Sequence, residues 1–108
     1  DLEKILRNFE LNLLQEMGYG IDLKRDSDSN KKINKDCEYL FDPSKGFTLN
    51  TANHASTKLF SGEDIINFGA GNLEKKVTRD TAKIIMRKAL DFHLGNKTLN
   101  IRKYLAKN

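Results

Sequence analysis

Few side chains in this sequence are spaced for covalent chemistry. The two histidines, His54 and His93, stand far apart, and nothing near either completes a nucleophile–base arrangement. Cys37 is the sole cysteine, so it has no partner within the chain for a disulfide. With no neighbouring histidine to activate it, it reads as a structural thiol. Asp26, Asp28 and Asn30 imitate the opening of a calcium loop. The sixth position is Lys31 where glycine is needed and the twelfth is Cys37 where glutamate is needed, which excludes calcium. Gly69-Ala70-Gly71 lacks the third glycine of a dinucleotide fingerprint and follows a helical pattern, so it is no phosphate cradle. The chain is expected not to be an enzyme and to need no cofactor.

The chemistry that remains is non-covalent. Arg79, Lys83 and Arg87 recur at i, i+4 and i+8, a basic stripe beside an apolar helix face. Arg7, Leu11 and Leu14 recur at i, i+4 and i+7 on the first helix, which has either a docking groove with a cation at its edge or a strip that packs under a loop or another domain. The net charge of +4 hides a division: residues 1–70 hold nine Lys or Arg against twelve Asp or Glu, and residues 71–108 hold ten against three. The second part is where a polyanion would be drawn.

The elements that must position these groups follow from periodicity. The first helix is expected over Leu2 to Met17, with Leu2, Ile5, Leu6, Phe9, Leu13 and Met17 facing the core, Gly18 as its stop, and no capping residue before it. Asp22 to Lys35 is too polar to bury and reads as a surface loop. Glu38 to Phe41 and Gly46 to Leu49 flank Asp42-Pro43-Ser44-Lys45 and predict a short β-hairpin. After a polar connection over Thr51 to Thr57, Ser61 caps a helix through Phe68. Thr78 is expected to cap a long helix that ends at Gly95, with Ala82, Ile85, Met86, Ala89, Phe92 and His93 on its core side. The fold class is mainly α, a small helical bundle with one short β-hairpin. Its 108 residues, 38% hydrophobic and 31% charged, suit one domain over 1–108. No run is long and apolar enough for a membrane helix and no signal-peptide layout opens the chain, so a cytoplasmic protein is expected.

Three ordered motifs carry a resemblance. Arg7-Asn8-Phe9-Glu10-Leu11-Asn12-Leu13-Leu14 with Gly18-Tyr19-Gly20, then Phe41-Asp42-Pro43 with Gly46-Phe47, then Leu94-Gly95-x-Lys97-x-Leu99-x-x-Arg102 together resemble the C-terminal domain of the bacterial recombination mediator family RecO. The likeness spans nearly the whole chain but only the C-terminal part of such a protein; the N-terminal OB-fold of that family has no counterpart in these residues. Many members carry a four-cysteine zinc ribbon where this chain has Asp22 to Glu38 and only Cys37, so the resemblance is to the zinc-free type. The closing motif has Ile101 where serine is usual and Asn100 where lysine is common.

The resemblance implies DNA repair and homologous recombination in the bacterial cytoplasm, at the nucleoid. The implied partners are single-stranded DNA, the acidic tail of single-strand binding protein (SSB) and RecR, and the implied work is strand annealing and RecA loading. A tail that ends in phenylalanine needs an apolar pocket with a cation at its lip; Arg7, Leu11, Leu14 and Arg87 offer that chemistry, with Arg7 preferred. Arg79, Lys83, Arg87, Lys97, Arg102 and Lys103 are the expected DNA phosphate contacts, with Tyr104 the one aromatic expected at that end for base stacking. The alternative is a scaffold domain that braces an OB-fold and has no ligand of its own.

Overall fold

Asp1 starts the first helix by accepting the Glu3 N–H on Oδ1 at 3.0 Å, so the helix does have a capping residue. In the computed structural model, which describes residues 1–51 and 58–95, this helix is α1, Leu2–Glu16. It stops where Gly18 takes φ +84°, a left-handed value that suits glycine. A three-stranded antiparallel sheet follows, made of β1 (Glu38–Asp42), β2 (Gly46–Leu49) and β3 (Phe60–Ser61) in the order β2-β1-β3. Phe41 pairs with Phe47 across the expected hairpin, and Tyr39 pairs with Phe60 on the other side. Residues 60–61 are too short a strand to show period-two alternation, and the sequence gives no sign of them.

Ser61 caps α2 (Gly62–Gly69) by accepting the Glu63 N–H at 3.1 Å, as its position predicts. Gly62 is required by space: a Cβ there would overlap the Asn34 carbonyl oxygen and lie 3.2 Å from that of Cys37. The last helix among the described residues, α3, runs over Lys76–Leu94 and ends at Gly95 as expected. Thr78, however, is not its cap. It lies one turn inside, fully buried, and donates its hydroxyl to Asp64 Oδ1 at 2.8 Å, locking α3 to α2.

The core gathers Tyr39, Phe47 and Phe60 of the sheet, Ile65 and Phe68 of α2, and Ala82, Ile85, Met86, Ala89 and Leu90 of α3. From α1 it takes Leu14. The face of α1 expected to be core is instead the outer one: Leu2 is 79% exposed, Ile5 64%, and Phe9 and Met17 are exposed too, with Leu6 and Leu13 half-buried. The inner face carries Arg7, Glu10 and Leu14. Its charges tolerate burial because Arg7 Nε and Glu10 Oε1 meet at 3.0 Å, so the pair enters without net charge.

The polar stretch between α1 and β1 lies on the surface as expected, but it is tied down at one point. Asp26 is buried; Oδ1 accepts the N–H groups of Asp28 (2.7 Å) and Ser29 (3.1 Å), and Oδ2 accepts that of Leu49 in β2 (2.9 Å). Burial pushes the carboxyl's pKa up, but those N–H groups and the Lys31 ammonium outweigh it and hold the value below the ordinary 3.8. A zinc ribbon does not fit this stretch, because four thiolates are needed and Cys37 is the only one. Among the described residues no group of three or more His, Cys, Asp or Glu is placed to hold a metal ion.

Candidate functional site

α1 and α3 run in the same direction. Asp1 and Glu3 share a cleft with Lys76 and Arg79, and Tyr19 just past the end of α1 stacks on His93 near the end of α3. Among the described residues this leaves one flank of α3 uncovered. There Val77, Thr81, Ile84 and Lys88 follow each other at i, i+4, i+7 and i+11, and with Lys58, Lys83, Arg87 and Asp80 they line a groove of about 610 Å³. Val77 is 57% exposed and Ile84 half-buried, so the floor is apolar and open to solvent. Lys58, Lys83, Arg87 and Lys88 are all exposed at its margin.

One acid interrupts this rim. Asp80 accepts a hydrogen bond from Lys76 Nζ at 2.9 Å, and that bond, with the nearby charges of Lys76, Arg79 and Lys83, outweighs partial desolvation and holds its pKa below the ordinary aspartate value. Because Lys76 is engaged with it, Asp80 offsets little of the charge on the remaining lysines and Arg87. An apolar floor with a cationic edge is the arrangement that takes an acidic chain ending in an apolar side chain.

The sequence-predicted residues divide sharply. Lys83 and Arg87 both line the groove on α3 and are exposed. Arg79 is half-buried, and its Nη1 donates to the carbonyls of Leu73 (2.9 Å) and Glu74 (2.6 Å), so it clamps the turn before α3 and is not a free phosphate contact. Arg7 is 4% exposed and held by Glu10, with Glu3 at 4.0 Å on the same guanidinium, so it cannot stand at the lip of an open pocket. Leu14 is fully buried and Leu11 packs half-buried against the core, which removes the expected groove on α1. Of the proposed tail-binding set, Arg87 lines the groove on α3. Lys97, Arg102, Lys103 and Tyr104 lie outside the described residues.

Val77, Thr81, Ile84 and Lys88 were readable as a stripe on the long helix, but their spacing is hidden by the stronger core face beside it. Lys58 was not readable, since it arrives from the segment before β3. Its ammonium lies 5.9 Å from the ring centre of Phe60.

The fold and groove define a class: a small helical domain buttressed by a three-stranded sheet, with a basic, apolar-floored surface on its last helix. No helix among the described residues is long and apolar enough to cross a membrane. The family model described as "Recombination protein O C terminal" matches residues 1–102, and the chain belongs to that family. It is similar to proteins named DNA repair protein RecO: 35% identical to that of Actinobacillus succinogenes over 99% of this chain and 44% of the relative. For Aromatoleum aromaticum the identity is 30%, over 97% and 44%. For Haemophilus influenzae it is 32%, over 100% and 45%. The chain thus spans less than half the length of the curated relatives it matches.

Proposed function

We propose that this domain acts in recombinational DNA repair as a binding module, whose groove on α3 captures the acidic tail of SSB while the exposed cations beside it attract single-stranded DNA. In the whole protein this would bring SSB-coated strands to RecR and RecA and support annealing, with no bond made or broken by the domain. The observation that carries this reading is the coincidence of Val77 and Ile84 with Lys58, Lys83, Arg87 and Lys88 in one groove. The name DNA repair protein RecO borne by the relatives supports the setting.

Burying one phenylalanine is worth about 1.5–3 kcal/mol, and a charged hydrogen bond to its carboxylate about the same again. After ordering costs, a dissociation constant on the order of micromolar follows. The test is an anisotropy titration with an acidic peptide that ends in phenylalanine. Arg87→Ala and Val77→Ser should each weaken binding about tenfold, as should removal of the phenylalanine, while thermal stability stays unchanged. Undiminished binding after both substitutions would move the site away from α3.

A second reading rests on a different observation, the exposure of Leu2, Ile5 and Phe9 on α1. It makes the domain a brace for another domain, such as the OB-fold that the resemblance implies. No peptide binding at millimolar concentration would favour this reading over the first.

A further inference from the structure

Where α1, the hairpin turn and the end of α3 meet, three aromatic rings stand outside the core. Tyr19 and His93 are stacked with centroids 4.2 Å apart and planes 11° from parallel, and the Phe92 ring meets His93 edge-on at 5.0 Å. Tyr19 is 43% exposed and Phe92 60%. His93 is fixed in turn by the hairpin, with Nε2 at 3.0 Å from the Pro43 carbonyl oxygen. A carbonyl can only accept, so this nitrogen carries the hydrogen, and the ring is oriented before any ligand arrives.

Beside the stack is a cleft of about 160 Å³, lined by Tyr19, His93, Phe41, Gly20, Pro43 and Lys45. A cavity of about 150 Å³ is enough to hold a benzene ring. Lys45 and Asp22 are both exposed on its lining, so the cleft pairs planar rings with one cation and one carboxylate.

We propose that Tyr19, His93 and the cleft beside them form a stacking platform for a base of single-stranded nucleic acid, with Lys45 facing the adjoining phosphate. The proposal rests on the DNA-binding reading above and gives it a base-contacting element that the lysines and arginine of α3 cannot supply. Stacking on an exposed ring is indifferent to base identity, because every base has a π-face.

The test is a titration of the 108-residue chain with two labelled strands of equal phosphate number at one salt concentration, oligothymidine and its abasic counterpart. Wild type should bind the thymidine strand at least about fivefold more tightly. Tyr19→Leu should abolish that preference while leaving the abasic affinity unchanged, and Tyr19→Phe should retain it. If Tyr19→Leu loosens the fold, Phe92→Ser, which alters a mostly exposed side chain, should still reduce the preference. Lys83→Ala with Arg87→Ala should weaken both strands alike. Equal binding of the two wild-type strands, or a preference that survives Tyr19→Leu, overturns the platform and leaves the phosphate contacts standing. If neither strand binds, the DNA-binding reading fails and the platform with it.

Discussion

α1 and α3 lie side by side, and both carry apolar and charged residues at helical spacing, yet they dispose of them in opposite ways. α3 turns Ala82, Ile85, Met86 and Ala89 inward and leaves Lys83, Arg87 and Lys88 in water. α1 turns Arg7 and Glu10 inward with Leu14 and leaves Leu2, Ile5 and Phe9 outside. Charges that stay hydrated carry no desolvation penalty, so the outer surface of α3 is free to serve a ligand. Charges taken out of water depend on each other, and a buried partner left alone is strongly destabilising. One helix therefore holds its place by apolar packing and a buried hydroxyl, and the other by packing plus a buried ion pair.

The largest effect should come from breaking that pair. Arg7→Ala removes the cation 3.0 Å from the buried Glu10 carboxylate and should cost about 3–5 kcal/mol, lowering Tm by more than about 10 °C; Arg7→Met with Glu10→Leu should recover most of the loss. A melting curve for Arg7→Ala within a degree or two of wild type would mean that the inner face of α1 is hydrated, and the contrast between the helices would vanish. The next effect tests the polar contact that α3 itself buries. Thr78→Val keeps the shape but removes the donor to Asp64, and should cost about 1–3 kcal/mol in urea unfolding. A cost as large as that of Arg7→Ala would show that both helices rest on buried polar groups to the same degree. The smallest effect belongs to the outer face of α1. Ile5→Ser with Phe9→Ser should change the stability of this chain by no more than about 0.5 kcal/mol per site. A larger loss would place that face in the core after all.

The sequence was most legible where a local signal decides the outcome. The proline turn set the hairpin, Ser61 set the start of α2 by offering a side-chain acceptor, and Gly95 set the end of α3. Periodicity found both long helices but could not rank the two sides of α1. The greasier side looked like core, because hydrophobic patterning counts Arg7 and Glu10 as solvent-facing and does not register that residues three apart can neutralise each other. Thr78 resembles a cap in sequence because its partner, Asp64, lies fourteen residues away on another helix. Half of the candidate groove was visible in the cations Lys83 and Arg87. The other half needed the fold: Lys58 comes from another segment, and Val77 and Ile84 become a floor only when the rest of α3 is committed to the core. Tyr19 and His93 are likewise joined only by the parallel course of two helices.

Asp26 has a consequence for how the long loop ahead of the sheet comes undone. A loop gathered around a thiolate-bound metal opens to chelators and oxidants; one clasped by a carboxylate on backbone N–H groups should ignore both and yield to protons. Because its folded pKa lies below the ordinary value of 3.8, the clasp is at full strength above that pH and slackens as acidity carries the solution through the lower value. Within the neutral range the Asp26 carboxylate therefore stays ionised and this clasp keeps its full strength.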